Sequence, residues 1–249
     1  MDAIRVKEIR ILRNKYEHSE EIFGVRHNLP SIDAVVTDIV EIACSMMLDE
    51  SLMGENNQNF HTEYVENEIM YETRIGTKRY RVNDTVYGDF YHSEWFKMAE
   101  DKVRREWGSE VNVVGCLLHL DETQMSTNRG MNSTPCYLSI LNFDSDTLRK
   151  KDGIMLCGYC PVSKVSKATL QSKLEKRGVR SRDKQSSCIK MHCRWLQQQF
   201  FRDILQPIMQ MNETGPVRCL KGFGENIRED WTMFVFVGLT GTYMYTCLN

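Results

Sequence analysis

The chain has 249 residues, of which 41% are hydrophobic and 10% aromatic. This length fits one large domain or two small ones, and the apolar content is high enough for a packed core, which excludes a wholly disordered chain. Its 32 lysines and arginines are offset by 34 aspartates and glutamates. The charge balance excludes a histone-like polycation but leaves room for a local basic patch.

Two sequence features argue for an intracellular protein. No stretch approaches the roughly 18 consecutive apolar residues of a membrane span, and the charged N-terminus lacks the apolar segment of a secretory signal. We therefore expect no contact with a membrane, and we expect the nine cysteines to be reduced thiols. Their odd number agrees with that interpretation.

A mixed helical and hairpin region is predicted for residues 1–108. Scattered isoleucines among the first 30 residues give a broken helical pattern. After Ser31, a suitable N-cap, the apolar residues from 32 to 43 recur at helical spacing and predict an amphipathic helix. Acidic side chains on its opposite face favour packing against a core over a membrane surface.

The later part of this region contains a loop, a hairpin and a second helix. Residues 49–63 are polar and predict a loop, whereas residues 69–82 predict two strands around a turn at Gly76. Apolar residues within 92–107 share one helical face and predict a helix.

The remaining residues, 109–249, predict an α/β domain. Residues 111–120 are continuously apolar and rich in β-branched side chains, which is typical of a strand buried on both faces. Three consecutive strands, a helix and a further strand fit several α/β folds, including the ribonuclease H-like fold. After the first strand, these elements are predicted at residues 136–143, 154–162, 191–211 (a helix with Pro207 inside it) and 231–239.

Asp121 is the first candidate for chemistry. It directly follows the predicted buried strand, within the run His119-Leu120-Asp121-Glu122-Thr123. A carboxylate at the end of a buried strand is held at the rim of a sheet, where it can bind a hard cation such as Mg²⁺. The alternative is that Asp121 only caps the following turn, which is a common role of aspartate.

The cysteines give a second candidate. Cys157 and Cys160 are separated by two residues in one predicted strand, and Cys188 and Cys193 flank His192 near the start of the long helix. Together these residues could bind zinc. The alternative is core packing, because a free cysteine in an apolar strand behaves as a small hydrophobic residue.

Residues 163–190 form a basic segment. Nine lysines and arginines stand there against Glu175 and Asp183, which gives a net charge of +7 in a chain whose total is −2. Lysine and arginine interleaved with serine and threonine suit contacts with nucleic-acid phosphates, whereas the alternative is a solvated loop. The candidate contact residues are Lys173, Lys176, Arg177, Arg180 and Arg182, together with Arg149, Lys150 and Lys151 in the preceding basic turn.

Several common catalytic motifs are absent from the sequence. There is no Walker loop, GxGxxG, GxSxG or HExxH run. Their absence argues against nucleotide-cofactor enzymes, serine hydrolases and the common zinc proteases.

Six pieces of sequence between residues 76 and 208 carry a family resemblance. They are Gly76-Thr77-Lys78-Arg79-Tyr80 with Gly88-Asp89, Leu120-Asp121-Glu122-Thr123-Gln124-Met125, Pro135-Cys136-Tyr137-Leu138-Ser139-Ile140-Leu141-Asn142, Arg149-Lys150-Lys151, Leu156-Cys157-Gly158-Tyr159-Cys160-Pro161, and Ile204-Leu205-Gln206-Pro207-Ile208 after His192. In this order and spacing they resemble the central part of Plavaka-type transposases, relatives of the CACTA and KDZ elements. Order and spacing together are more specific than any single piece.

The resemblance implies a ribonuclease H-like fold, a DDE-type mechanism on DNA and a nuclear location. In such a mechanism acidic side chains hold two Mg²⁺ ions, one activating a water or a 3′-hydroxyl and the other stabilising the leaving oxygen. Asp121 matches the family's first catalytic aspartate and metal ligand. Cys157 and Cys160 occupy positions that are leucines in the family's pattern, which weakens the zinc hypothesis.

The sequence also departs from the family's pattern. The family's next strand ends in a motif whose aspartate is the second metal ligand, but the corresponding residues 237–242 contain no carboxylate, and the third ligand would lie beyond residue 249. The chain is therefore predicted to be a truncated, catalytically inactive relative of a transposase. The alternatives are a DNA-binding remnant that uses residues 164–190, or an unrelated structural domain. The oligomeric state is left open.

Overall fold

A computed structural model describes the greater part of the chain. The described residues are 11–16, 19–22, 25–28, 32–53, 69–73, 76–80, 90–120, 123–124, 132–160, 167–176, 178 and 180–241.

The described residues form twelve strands and five α-helices. Residues up to 108 form strands β1 (Ile11–Tyr16), β2 (Ser19–Ile22), β3 (Val25–Asn28) and β4 (Ile32–Thr37), helix α1 (Ile39–Met46), strands β5 (Ile69–Thr73) and β6 (Gly76–Tyr80), and helix α2 (Glu94–Trp107). The later residues form β7 (Asn112–Leu120), β8 (Thr123–Gln124), β9 (Asn132–Ile140), α3 (Ser145–Leu148), β10 (Met155–Cys160), α4 (Lys167–Lys176), α5 (Arg182–Thr214), β11 (Val217–Lys221) and β12 (Arg228–Gly241).

One mixed sheet organises the fold. Its strand order is β1-β4-β10-β9-β7-β12-β11, with β8 paired to β9. Strand β9 runs antiparallel to both of its neighbours, β7 and β10, whereas β12 runs parallel to β7. Since parallel neighbours end on the same side, the carboxyl ends of β7 and β12 lie together.

Strand β7 is a buried interior strand of the sheet, as its sequence predicts. Val113, Val114 and Leu118 are fully buried, because β9 and β12 flank the strand and side chains cover both of its faces. The predicted strands at 136–143, 154–162 and 231–239 are confirmed as β9, β10 and β12, with shifted ends.

Helices complete the core. Ser93 caps α2 by accepting a hydrogen bond from the amide of Phe96, and Gly108 ends the helix at φ 109°. The long helix α5 continues through Pro207. Its buried face carries residues at helical spacing, namely Leu196, Phe200, Ile204, Ile208 and Met211.

The predicted helix over residues 32–43 is wrong in its first half. Residues 32–37 form β4, which pairs with β1 and β10, and α1 begins only after Asp38. The carboxylate of Asp38 accepts hydrogen bonds from the amides of Val40 and Glu41, which fixes this start. The β-branched residues before Asp38 suit a strand better than a helix. Ser31, the expected cap, lies outside the described residues.

The N-terminal isoleucine pattern is also strand rather than helix in its described part, because Ile11 and Leu12 belong to β1. The hairpin prediction is confirmed by the pairing of β5 with β6, in which Gly76 opens the second strand. The helix predicted over residues 92–107 is confirmed as α2.

Residues on both sides of position 108 share one sheet and one core, since β4 pairs with β10 and Val36 packs in the same cluster as Leu138 and Phe200. The division of the chain into 1–108 and 109–249 stays a prediction. In the described ranges no helix has the length and apolarity to span a bilayer.

Candidate functional site at one rim of the sheet

Four strand ends meet at one rim of the sheet. Leu120 at the end of β7 pairs with Cys136 of β9 on one side and with Gly241 of β12 on the other. Cys160 at the end of β10 pairs with Thr134. This rim, defined by the carboxyl ends of β7, β10 and β12 and the start of β9, is where the sequence places its candidate carboxylate.

Asp121 and Glu122 follow Leu120 in the chain and lie outside the described residues. The structure shows that the strand beside the end of β7 is β12. The last residues of β12, from 238 to 241, pair with residues 117–120 of β7 and contain no acidic side chain. The strand beside the candidate carboxylate therefore brings hydroxyl and apolar groups in its described part.

His119 joins three strands at this rim. Its Nε2 lies 2.9 Å from the Oγ of Ser139 on β9, and its Nδ1 lies 2.7 Å from the Oγ1 of Thr240 on β12. Ser139 is buried and Thr240 is exposed. The hydrogen bonds thus run from the core to the solvent across β9, β7 and β12.

Burial lowers the pKa of His119, because the imidazolium form loses hydration. The neutral ring has one donor and one acceptor nitrogen, and hydroxyl groups can satisfy both. With both nitrogens engaged, His119 ties the ends of β7 and β12 together. Because hydroxyl groups occupy both nitrogens, neither nitrogen is available to bind a metal ion. Over the described parts of the chain, no group of three histidine, cysteine or acidic side chains is arranged to hold a metal ion.

The cysteines that suggested zinc lie in the core of the sheet. Cys157 and Cys160 are buried on β10, and the Cys157 Sγ donates to the carbonyl oxygen of Cys136 at 3.1 Å. Burial raises the pKa of Cys116 on β7 to about 12, and a hydrogen bond from Cys157 together with burial raises that of Cys136. Cys157 and Cys160 are likewise buried in an apolar strand, which suits packing as small hydrophobic residues. The side chains of Cys188, His192 and Cys193 lie outside the described residues.

The basic segment is helical in its described part. Helix α4 and the first turns of α5 form a hairpin, called here the basic hairpin (residues 167–194). Leu174 is buried, and the side chain of Gln185 is buried and donates to Glu175 at 3.4 Å. Apart from this contact region, the described cationic side chains are exposed: Lys176, Arg180, Arg182, Lys184, Lys190 and Arg194. The side chains of Lys173 and Arg177 lie outside the described residues.

The basic hairpin extends beyond the rim at which β7 ends, directly before Asp121 in the sequence. The ring of Phe200 on α5 lies against Gly158, close to the end of β10. The C-terminal end of α5, at Gly215, lies against Trp107, which precedes the start of β7. Helix α5 therefore runs away from the rim. Arg182 lies about 27 Å before Phe200 along the helix axis, whereas β10 continues for only about 7 Å past Gly158.

Arg149 and Lys150 lie at the opposite end of the sheet. They follow α3, which connects the end of β9 to the start of β10. Arg149 pairs at 3.5 Å with Asp146, and both side chains are highly exposed; the Nζ of Lys150 lies 3.5 Å from the carbonyl oxygen of Ser51. The side chain of Lys151 lies outside the described residues. The structure thus separates the two groups of candidate DNA-contacting residues.

Sequence patterns did not single out two residues that link strands of the sheet, His119 at the rim and Asn142 near the opposite end of β7. His119 was noted only as part of the run before Asp121, and its link to Thr240 depends on a parallel pairing across 121 positions. Asn142 closes the matched segment that starts at Pro135, and its carboxamide bonds to both the amide of Gly115 and the carbonyl of Val113. A polar residue directly after an apolar strand was the available signal for it.

Comparison with known proteins identifies the family. The model of the Plavaka transposase family matches residues 35–223, which is more than half of the chain. The chain belongs to the Plavaka transposase family. The match begins within β4, includes the strands from β5 to β11 and contains the whole basic hairpin. Searches of curated proteins and of solved structures returned no match.

Proposed function

We propose that this chain is a transposase-derived protein that binds DNA through the basic hairpin and does not cut DNA by itself. Membership of the Plavaka transposase family supports an interaction with DNA. The observation that carries the proposal is the arrangement at the rim: the basic hairpin extends past it, while the strand beside β7 contributes no carboxylate in its described residues.

The sheet supports a ribonuclease H-like ancestry. Three antiparallel strands come first in the chain order β7, β9 and β10, and β12 then returns to the other side of β7, parallel to it, after the long helix α5. This is the arrangement expected of a ribonuclease H-like sheet. Strand β7 then holds the position from which the family's first catalytic aspartate follows, and that residue is Asp121 in this sequence.

The residues present do not fit a two-metal site. A pair of Mg²⁺ ions needs several anionic oxygen ligands, and Asp121 would need an acidic partner on the parallel neighbour β12. Residues 237–241 of that strand are Val, Gly, Leu, Thr and Gly. His119 cannot take the place of the missing acidic ligand, because its two ring nitrogens are hydrogen-bonded to Ser139 and Thr240.

Contact with DNA would be made to phosphates. Lysine and arginine side chains on phosphates position a protein without reading the base sequence, and most of their binding free energy comes from counterion release. Four of the exposed cations of the basic hairpin lie on α5, with Lys176 at the end of α4 and Arg180 between the two helices, so most of them have the fixed spacing of a helix, which a solvated loop would lack. A protein with this activity would act in the nucleus.

A cleavage assay tests the missing catalysis. The purified protein is incubated with supercoiled and linear DNA in Mg²⁺ or Mn²⁺, next to the Asp121→Ala variant. We expect no nicking, linearisation or strand transfer above background from either protein. Cleavage by the wild type that disappears in Asp121→Ala would overturn the proposal, whereas cleavage that survives in the variant identifies a contaminating nuclease.

A further inference from the structure

An exposed groove of about 630 Å³ lies between helices α2 and α5, and residues of β12 line it as well. The lining residues of each helix recur at helical spacing, so the groove is built by one continuous face of α2 and one of α5. Five of the lining side chains are large and apolar but remain at least one third exposed: Trp95, Met98, Trp107, Met209 and Phe236.

The exposed apolar area at the groove is what a homodimer of ordinary size requires. The five side chains are between 36% and 65% exposed. At about 200 Å² for one fully exposed side chain of this size, they present about 500 Å² together. A standard interface buries about 800 Å² on each partner, of which about 65% is apolar in homodimers. The five side chains therefore supply the apolar core of such an interface.

The charges at the groove are complementary to themselves. In the described part of the chain, Lys102 and Glu106 are the only charged residues that line it; both are exposed, and they lie about one helical turn apart on α2. A two-fold axis that crosses α2 midway between them places Lys102 of one copy opposite Glu106 of the other, and symmetry forms this pair twice. DNA is a poor fit to the groove, because these two charges cancel.

We propose that the groove is the interface between two copies of this chain, which pack α2 against α2 in antiparallel orientation about that two-fold axis. In this arrangement Met98 of one copy and Trp107 of the other lie within about 5 Å of each other along the helix axes. A methionine sulfur against an aromatic ring is a favourable contact. Apolar contacts thus flank the two ion pairs on both sides.

Sedimentation equilibrium of the unmodified chain tests whether two copies associate. We expect the mass to rise with concentration to twice that of one chain, with a Kd in the micromolar range or below, as interfaces of this size give. A monomer mass throughout the micromolar range would overturn the proposal and would leave the groove to a different protein.

Two methionine variants test whether the groove is the interface. Met98→Asp places an unpaired charge in the apolar contact, and we expect it to weaken dimerisation at least about 10-fold. Met191→Asp is the matched control, because Met191 is also an exposed methionine on a helix but does not line the groove. We expect the control to dimerise like the wild type. Unchanged dimerisation of a folded Met98→Asp variant, or equal weakening in both variants, would contradict the assignment.

Two opposite charge reversals test the two-fold arrangement itself. In a dimer of Lys102→Glu, glutamates face each other at both pairs, and in a dimer of Glu106→Lys, lysines do. We expect each variant alone to associate at least about 10-fold more weakly than the wild type. An equimolar mixture joins glutamate to lysine at both pairs, so it should dimerise with a Kd close to that of the wild type. A mixture that associates no better than either variant alone would overturn the proposed arrangement.

Discussion

Asn142 extends the ladder of the central strand by means of its side chain. The β7–β9 pairing stops at Cys116 and Ile140. Beyond it, the Asn142 carboxamide accepts a hydrogen bond from the Gly115 amide at 2.8 Å and donates to the Val113 carbonyl at 2.9 Å. One buried side chain thereby satisfies backbone groups that would otherwise lie unpaired in the core.

We expect Asn142→Leu to destabilise the fold by about 2–4 kcal/mol, because a buried donor and a buried acceptor lose their partner. Urea unfolding of the variant and the wild type measures this difference. Asn212→Leu, at an exposed position of α5, is the matched control and should change stability by no more than about 0.5 kcal/mol. A loss of the same small size for Asn142→Leu would contradict the role of the carboxamide.

His119 makes the stability of the rim depend on pH. Its pKa in the folded protein is lowered by burial, so the unfolded chain binds a proton more readily than the folded chain. The neutral ring therefore makes its full contribution to the free energy of unfolding above the unfolded-state pKa of about 6.5. That contribution is lost as the pH falls below this value.

The measurement is the urea midpoint of the wild type and of His119→Gln at several values from about pH 7.5 to pH 5. We expect the wild type to lose more stability on acidification than the variant, whose side chain does not titrate. Parallel curves for the two proteins, or a larger loss in the variant, would show that His119 does not contribute in this way.

At the scale of elements, the periodicity of apolar residues predicts the buried strands and the long amphipathic helices. It fails where pairing with distant strands determines whether a segment is a strand or a helix. Strand β7 and helix α2 can be predicted from their own residues, because a continuous β-branched apolar run indicates a buried strand and an apolar stripe at helical spacing indicates an amphipathic helix. The stripe from residue 32 to 43 is consistent with a helix, but β1 and β10 supply hydrogen-bond partners that convert its first half into β4. Such partners are not visible in a local pattern.

In the candidate site, too, some features can be predicted from the sequence and others cannot. Asp121 at a strand end and the positive charge of residues 163–190 are visible in the sequence, since each depends on neighbouring residues alone. The bonds of His119 with Ser139 and Thr240 depend on register between distant strands. The separation of Arg149 and Lys150 from the basic hairpin likewise follows from which end of the sheet each connection occupies.

Gly158 allows β4 to lie close to β10. A Cβ at this position would come within 2.7 Å of the Val35 carbonyl oxygen and 3.4 Å of the Phe200 ring. We therefore expect Gly158→Ala to push β4 or α5 away and to destabilise the protein by about 1–3 kcal/mol, as overpacking does.

Thermal or urea unfolding measures the effect of Gly158→Ala. Gly238→Ala in β12 is the control, because a Cβ there would meet only the Leu117 Cδ1, at the ordinary distance of 3.8 Å. The control should unfold close to the wild type. Equal stability of the two variants would indicate that the β4–β10 contact can relax without cost.

At the scale of the whole molecule, charge is divided between the two ends of the sheet. The basic hairpin extends past the rim that precedes Asp121, and Arg105, Arg149 and Lys150 lie towards the other end. Because its net charge is −2, the protein as a whole has no electrostatic attraction to DNA. Binding to DNA would therefore require a local cluster of positive charge. On the proposed function, DNA would therefore contact the end that carries the basic hairpin.

The salt dependence of DNA binding tests this account most directly. Four or five phosphates engaged by the basic hairpin give a slope of log affinity against log salt near −4, at about 0.9 per phosphate, for duplexes of unrelated sequence.

The decisive comparison uses two triple variants titrated on duplex DNA over about 50–200 mM salt. Lys176, Arg180 and Arg182 changed together to Ala should weaken binding and flatten the slope to between about −1 and −2, with folding unchanged since these side chains are exposed. Arg105, Arg149 and Lys150 changed to Ala remove the same charge at the opposite end and should leave both affinity and slope near those of the wild type. No binding at low salt, or a slope that changes only in the second variant, would contradict the assignment of DNA to the basic hairpin.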